Sequence, residues 1–454
     1  LGGAYLLGAL AAARTGSREP SDLVVWREPD AGVCGVRLFK DGEWMYEIID
    51  DFLPVGPHGQ LACSHAVSRG EHQDWLALVE KAYAKVHGCY EAVAAGSEAD
   101  ALEDVLGVPA SRAALSDFVI WGELWQHLRA RKRRGCLQLA VRRVEQPGEV
   151  LTSGLVSGYG YPVTRLEQVN GEMLVELQNP WPTGTWMGRW SVNSQELGRS
   201  RGLRQLQPSQ EACRPFWMSI QDFCKNFTEV HEARLAPASW QCAAVTCSGE
   251  RPSYPLVSVP EKSQAIFTLT QSDRRWTAHD GEYRCSIGLR IYRCRIVAPP
   301  QNATGVRQNV SSPFRNLELI AERLPQQARS VSLEVPRLES GCLYIAAADA
   351  PECQFLTLRA LTSCAPRFRE LSAPEASYFL QAQPSASAAQ DADSFSSQGS
   401  AEGPGTAGVA AGRADPMCRS GGAQDGDRQG PGEGAAASLQ PLLQACMASC
   451  SGEC

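Results

Sequence analysis

The sequence lacks any continuous apolar run of the roughly 18 residues that a membrane-spanning helix needs. Its longest early apolar run, residues 4–13, is shorter, and no basic segment of the kind that opens a secretory signal precedes it. An excess of positive charge is also missing, because the formal net charge is −7 and the pI is near 5.7. We therefore predict no membrane span, no secretory signal and no nucleic-acid partner.

Regular cysteine spacing is absent as well. The 17 cysteines are an odd number, scattered through a chain of 454 residues, whereas disulfide frameworks occur mostly in short secreted domains. This pattern favours reduced thiols, so we expect an intracellular, cytoplasmic protein. The first residue is Leu1 and not methionine, which we interpret as the start of a fragment or of an imperfect gene prediction.

The clearest local signal that is present is a β-hairpin. Residues 161–169 and 172–178 alternate between apolar and polar side chains, and Asn170-Gly171 separates them. Asn-Gly between two such runs is the strongest short hairpin signal in a sequence. Asn179 follows directly and precedes a proline, so we expect it at a strand end, where side chains often face a cleft. A second hairpin is predicted around Asp41-Gly42 by the same reasoning.

Helices are predicted between these hairpins. Apolar residues over 76–86 have helical spacing, with Gly88 placed to end the helix, and Ser97 is placed to cap the next one. A third helix ends in the basic run 129–134. That run is interpreted either as a surface for an acidic partner or phosphoinositides, or as a solvated helix end, and the second interpretation is favoured.

Four motifs carry a resemblance to a known family. They begin at residues 75 (Trp-Leu-Ala-Leu-Val-Glu-Lys-Ala-Tyr-Ala-Lys), 154 (Gly-Leu-Val-Ser-Gly), 177 (Leu-Gln-Asn-Pro-Trp) and 216 (Phe-Trp-Met-Ser-Ile-Gln-Asp-Phe). In these stretches the chain resembles the calpain family of cysteine proteases. The resemblance implies a two-lobed papain-like core, intracellular calcium-dependent endopeptidase activity in active members, and a protein or peptide substrate.

The catalytic positions of that family are altered here. Ala4 stands where the resemblance places the nucleophilic cysteine, Tyr159 stands at the position of the general-base histidine, and Asn179 matches the asparagine that orients the histidine. Trp181 and Gly158 are the residues expected to line the substrate cleft. An alanine methyl cannot attack a carbonyl, and a phenol with a pKa near 10 is a poor base at neutral pH.

The calcium-binding pattern is altered as well. The positions that match the calcium site of the second lobe are occupied by Thr185, Val192, Glu211, Cys213 and Pro215. Calcium takes six to eight oxygen ligands, several of them carboxylates, so one glutamate is too few. We therefore predict no cofactor and no metal site here, although the resemblance implies calcium for active members.

Short alternating runs recur from residue 236 to 362, separated by turns rich in Pro, Gly, Asn and Asp, which is typical of a β-sandwich. No EF-hand loop follows, so the small-optic-lobes type is the calpain subtype that we expect. Beyond residue 381 the composition is rich in Ser, Ala, Gly and Gln, and such a segment cannot bury enough apolar surface to order itself.

The predicted fold class is α+β: a two-lobed papain-like calpain core, then a calpain-type antiparallel β-sandwich, then a disordered tail. The predicted boundaries are 1–118 for the helical first lobe, 119–233 for the β-rich second lobe, 234–366 for the sandwich and 367–454 for the tail.

Three functional hypotheses follow from the sequence. The favoured hypothesis is an inactive pseudoprotease whose cleft binds a peptide or protein as a regulatory module. The second is an active calpain-like cysteine endopeptidase with a displaced nucleophile or an error in the sequence. The third is a structural scaffold that uses its β-sandwich, with weak membrane contact. The oligomeric state stays open in all three.

Overall fold

A computed structural model describes most of the chain, and its architecture is α+β, as predicted. The described residues are 3–16, 19–59, 61–68, 71–144, 147–181, 183–199, 215–247, 254–273, 285–296, 314–353, 355–382 and 444–445.

Seven α-helices lie within the described ranges: α1 (Ala4–Thr15), α2 (Trp75–Val86), α3 (Glu98–Leu106), α4 (Trp121–Arg133), α5 (Gln195–Arg199), α6 (Ile220–Asn226) and α7 (Ala373–Ala382). Both predicted helix signals are confirmed. Gly88 has a positive φ of 100° just beyond α2, and the Ser97 hydroxyl accepts a hydrogen bond from the Ala99 amide at 3.2 Å at the start of α3. None of the described helices combines the length and apolar character that crossing a membrane requires.

The first lobe packs its helices against a three-stranded antiparallel sheet, β1 (Val24–Glu28), β2 (Val33–Lys40) and β3 (Glu43–Asp50). A small hairpin, β4 (His65–Ser68) and β5 (Glu71–Gln73), lies beside them. The turn between β2 and β3 is the predicted Asp41-Gly42, and both residues have positive φ.

The second lobe is built on a six-stranded sheet. Its strands are β6 (Ala110–Ala114), β7 (Cys136–Val141), β8 (Gly160–Val169), β9 (Glu172–Gln178), β10 (Pro215–Ser219) and β11 (Glu229–Arg234), in the order β10-β9-β8-β7-β11-β6. The β8–β9 hairpin has its turn at Asn170-Gly171, as predicted. Strand β6 lies before residue 118 but pairs with β11, so the lobe boundary predicted there is corrected to a point before β6.

The third unit is a sandwich of two antiparallel sheets, as predicted. Its strands are β12 (Gln241–Cys247), β13 (Pro255–Ser258), β14 (Ser263–Gln271), β15 (Ser286–Ile296), β16 (Phe314–Gln327), β17 (Ser330–Leu338), β18 (Leu343–Asp349), β19 (Leu356–Thr362) and β20 (Arg367–Glu370). One sheet has the order β12-β19-β14-β17 and the other β16-β15-β18-β13-β20, and a separate apolar core fills the space between them.

The sandwich extends past residue 366, where the sequence analysis ended it. Strand β20 pairs with β13, and α7 follows with Phe379 fully buried. The Phe379 ring packs against Tyr254 and Tyr292, at 5.0 and 5.2 Å between ring centroids. Burial of these aromatic rings orders a segment that composition alone assigned to the tail. The predicted disorder over 383–443 and 446–454 lies outside the described residues, and between them β21 (Gln444–Ala445) pairs in parallel with β4.

A buried network of ion pairs joins the first lobe to the sandwich. Lys40 contacts Asp104 of α3 at 3.0 Å and also contacts Asp273 of the sandwich. Arg329, from the β16–β17 turn, reaches Asp104 at 2.8 Å and Glu103 at 3.3 Å. All five side chains are at most 10% exposed, so this contact is formed by desolvated charges.

Candidate functional site

Helix α1 carries the residue at the predicted nucleophile position. Ala4 is its first residue, and every residue from Tyr5 to Ala13 is buried. Gly8 lets the helix approach β8 closely, because a Cβ atom at Gly8 would lie 3.4 Å from the Gly160 Cα. Ala4 and Tyr159 both pack against the same hydrophobic core. The structure thus brings the N-terminal end of α1 and the start of β8 to one hydrophobic core.

Tyr159 immediately precedes β8 and packs against Trp181. Their ring centroids lie 4.4 Å apart with an interplanar angle of 48°. The Trp181 indole is 1% exposed, and its Nε1–H donates to the Gly160 carbonyl at 3.1 Å. Burial raises the pKa of the Tyr159 phenol above its usual value. At neutral pH the side chain is therefore a protonated phenol, which cannot accept a proton from a thiol.

Asn179 lies at the end of β9, as predicted, but its carboxamide bonds within its own loop. The Nδ2 amide donates to the Gly184 carbonyl at 2.8 Å, and Oδ1 accepts from the Trp181 amide at 3.0 Å. An asparagine that orients an imidazole accepts from that ring through Oδ1, which has two lone pairs and so can accept a second hydrogen bond. Here the oxygen already stabilises the Asn179–Trp181 turn.

The two glycines of the 154–158 loop let its backbone pack closely against neighbouring residues. Gly158 has a φ of 72°, and a Cβ atom there would lie 2.4 Å from the Pro147 Cβ. A Cβ atom at Gly154 would lie 1.8 Å from the Thr185 carbonyl oxygen. Both positions exclude larger residues, so the loop structure explains why glycine occurs at each.

Several described cysteines have thiols that burial makes less acidic. Six of them have a thiol pKa that departs from its usual value, and in all six it is raised, with burial as the largest cause: Cys34, Cys63, Cys136, Cys224, Cys242 and Cys294. For Cys63 the charge of Glu80 raises the pKa further. A raised pKa favours the thiol over the nucleophilic thiolate, which weakens the hypothesis of a displaced nucleophile at these positions.

Three described histidines belong to ion clusters away from Asn179. His127 lies 3.1 Å from Glu232, and His231 lies 2.8 Å from Glu229. His87 lies in the lobe–sandwich network, 3.2 Å from Asp273. Within the described ranges, no hydrogen bond links Asn179 or Tyr159 to a histidine. These imidazoles therefore take part in the packing and hydrogen bonding of those clusters.

Two groups of buried side chains have the residue types of a metal site. One comprises His87, Asp104 and Asp273, and the other comprises Glu98, Glu229 and His231. Each group is already in contact with a lysine or arginine side chain of the protein. Lys40 contacts both aspartates of the first group, and Arg143 contacts both glutamates of the second. A cationic side chain supplies the positive charge that a metal ion would bring, so both groups are accounted for as ion-pair clusters.

Some positions that match the second-lobe calcium site lie in the described ranges and others lie outside them. Thr185, Val192 and Pro215 lie in the described ranges and carry no carboxylate, whereas Glu211 and Cys213 lie outside them. The predicted loss of this calcium site therefore stays a prediction.

Sequence reasoning missed Glu80 as a residue of this region. Its side chain is 3% exposed, Oε2 accepts from the Ser64 amide at 2.8 Å, and Oε1 lies 3.6 Å from where a Cβ atom of Gly3 would be. Burial raises the pKa of this carboxyl. The signal was available, because Glu80 is a charged residue within the apolar stripe of α2, four residues after Leu76.

Comparison with known proteins identifies relatives of this chain. A family model described as calpain family cysteine protease matches residues 1–234. The chain is 32% identical over 247 residues to the calpain-type cysteine protease DEK1 of Zea mays, covering 52% of this chain and 11% of that protein. It is 30% identical over 347 residues to calpain-8 of Homo sapiens, covering 64% of this chain and 48% of that protein. The chain thus spans less than half the length of these relatives, and the small-optic-lobes subtype stays a prediction.

Proposed function

The chain belongs to the calpain family of cysteine proteases, and from that premise we propose that it is a catalytically inactive member whose cleft binds a peptide or protein segment as a regulatory module. The observation that carries the proposal is the packing of Tyr159 on Trp181, at 4.4 Å between ring centroids, in the position where the family places its base. A protonated phenol there, beside an alanine at the nucleophile position, leaves no proton relay for acyl transfer.

The altered chemistry leaves the scaffold in place. Helix α1, the β8–β9 hairpin and the Asn179–Trp181 turn are all formed. Binding an extended peptide needs main-chain hydrogen bonds and side-chain pockets, and it needs no thiol. The partner in this proposal is therefore a protein or peptide, bound in the cytoplasm without a calcium requirement at the second-lobe site.

The proposal is tested with the full chain on casein, an unstructured substrate, in the presence and absence of calcium. The wild-type protein should show no cleavage that a cysteine-protease inhibitor abolishes. Loss of the nucleophile alone costs on the order of 10⁶ in turnover in the subtilisin case. The double variant Ala4→Cys, Tyr159→His should gain measurable inhibitor-sensitive activity if only the chemistry has been lost.

Two single variants serve as matched controls. Ala4→Cys alone supplies a thiol without a base, and Tyr159→His alone supplies a base without a thiol, so both should stay near the wild-type background. Inhibitor-sensitive cleavage by the wild-type chain would overturn the proposal and restore the active-enzyme hypothesis. A silent double variant would show that further elements of the active site have also changed.

A further inference from the structure

A pocket rich in arginine lies between the second lobe and the sandwich, separate from the cleft. Its volume is about 280 Å³. The lining includes three arginines from the core and one from the sandwich, together with two glutamates: Arg131, Arg134, Arg234, Arg323, Glu322 and Glu334. We name it the seam pocket. The basic run of the sequence supplies two of these arginines, so that run contributes to a concave site.

The arginines of the lining outnumber its carboxylates, although Arg131 also pairs with Glu232 outside the lining, at 2.9 Å. Glu334 alone is approached by three guanidinium groups: Arg131 at 2.8 Å, Arg134 at 3.6 Å and Arg234 at 3.8 Å. The other glutamate of the pocket, Glu322, already accepts a hydrogen bond from Arg290 at 2.6 Å. Four cations and two anions therefore line the pocket, and one of each is also paired with a residue outside it: Glu322 with Arg290, and Arg131 with Glu232.

Among the arginines that line the seam pocket, Arg234 has a guanidinium nitrogen that is buried without a hydrogen bond. The Arg234 Nε is shielded from solvent and has no hydrogen-bond partner, and its 3.8 Å distance to Glu334 is too long to be one. Leaving a buried donor without an acceptor is unfavourable, and more so when the group is charged. An anionic oxygen in the seam pocket would be an acceptor for this group.

We propose that the seam pocket binds a phosphate monoester. Guanidinium groups present planar, forked donors that match phosphate oxygens, and their bonds to phosphate are charge-assisted. The negative charge of the ligand would balance the excess of cations in the lining. The pocket is at the small end of the range for ligand sites, about 300–1,000 Å³, which favours a compact anionic group. Ser111 and Ser332 also line the pocket and offer hydroxyl donors.

This ligand would connect two units of the protein. Arg134 and Arg234 belong to the core, whereas Arg323 and Ser332 belong to the sandwich. A ligand that contacts both binds the assembled arrangement and not the separated one, so it stabilises their contact by mass action. The seam pocket is therefore a regulatory site for sandwich docking, independent of whether the cleft retains any chemistry.

The test uses the full chain with two probes that carry the same chemistry from different sources. Inositol 1,4,5-trisphosphate is the soluble probe, titrated by calorimetry at constant ionic strength. Phosphatidylcholine vesicles with and without phosphatidylinositol 4,5-bisphosphate are the membrane probe, measured by flotation. We expect saturable binding of the soluble probe and a rise in melting temperature with its concentration. If the protein floats with the phosphoinositide vesicles and the soluble probe competes with that binding, the ligand is a lipid headgroup. If the soluble probe binds and the protein does not float with these vesicles, the ligand is a soluble one.

The variants Arg134→Gln and Arg323→Gln remove pocket cations, and both residues are exposed enough for the fold to persist. Each should weaken binding at least about 10-fold, which corresponds to about 1.4 kcal/mol. The matched control is Arg133→Gln, the exposed neighbour in the same basic run that does not line the pocket, and it should bind like the wild type. The absence of saturable binding to both probes would overturn the proposal. Equal affinity in wild type, Arg134→Gln and Arg323→Gln would also overturn it.

Discussion

Glu229 shows how a single carboxyl group is held ionised inside the second lobe. His231 Nδ1 accepts a hydrogen bond from the Ala99 amide at 3.1 Å, and Nε2 donates one to Glu229 at 2.8 Å. Arg143 contacts Glu229 at 2.6 Å and Glu98 at 2.8 Å. Burial alone would raise the pKa of Glu229, but the His231 hydrogen bond and the Arg143 charge outweigh it and lower the pKa to about 2.

This lowered pKa predicts a pH-dependent contribution to stability. A carboxyl with a lower pKa in the folded state stabilises fully above its unfolded value, near 4.5, and loses that contribution as pH falls towards about 2. The variant Glu229→Gln should therefore be less stable than wild type at pH 7, and the difference should shrink between about pH 4.5 and pH 2. Urea unfolding across this range measures it. Glu167→Gln, at an exposed position of β8, is the control and should show a small, flat difference; a flat difference for Glu229→Gln would contradict the prediction.

The β8–β9 hairpin shows what an element contributes to the site. Asn170 and Gly171 have φ values of 51° and 84°, as a two-residue turn of the mirror-image type requires. This turn sets the register of β9, and the register places Asn179 and Trp181 beside the start of β8. The turn therefore influences where Asn179 and Trp181 lie, although it is at the opposite end of the hairpin.

Gly171→Ala should destabilise the protein by about 1–2 kcal/mol, the cost of a left-handed conformation for a residue with a Cβ atom. No other atom lies within 4 Å of the Cβ position, so the cost is purely conformational. Gly198→Ala is the matched control, because its Cβ position is equally open and its φ is not positive. The control should lose no stability in thermal unfolding. If both variants unfold at the same temperature, the turn does not depend on the backbone freedom of glycine.

Elements defined by local signals were predictable, and those defined by distant pairing were not. The Asn-Gly turn and the Ser97 cap act through neighbouring residues, so the sequence displays them directly. Strand β6 reads Ala-Ser-Arg-Ala-Ala, which has no strand pattern, and it forms because β11 provides hydrogen-bond partners more than 100 residues later. The same limit applies to the site. Motifs located Asn179, but the direction of its carboxamide depends on the Gly184 carbonyl and the Trp181 amide in the folded loop.

At the scale of the whole molecule, the lobe–sandwich network is a contact made of charges. Arg359, 1% exposed, contacts Glu103 at 2.6 Å and lies 4.5 Å from the centre of the Phe39 ring. Together with the pairs of Lys40 and Arg329, it forms a continuous set of desolvated ions. Such a set is costly to disrupt from one side, because the remaining partner is left as an uncompensated buried charge.

Asp273→Asn should therefore destabilise the docking of the sandwich by about 3–5 kcal/mol, the range found when one partner of a buried pair is removed. Differential scanning calorimetry should show a lower first transition, or a split between the sandwich and the core. The control is Arg337→Gln, which removes an exposed pair with Glu339 in the same sandwich and should cost about 0–1 kcal/mol. If the thermogram of Asp273→Asn is the same as that of the wild type, the network does not hold the two units together.

The Asp41-Gly42 turn of the first lobe reaches into the sandwich. The Asp41 carbonyl accepts from the Thr357 hydroxyl at 2.8 Å, and a Cβ atom at Gly42 would lie 2.4 Å from the Thr357 Cγ2. Hairpin tips are usually the places where a chain accepts extra residues, because they are surrounded by water. This tip is in contact with another domain, so its length is restricted. An epitope tag or a natural insertion here would push the two domains apart.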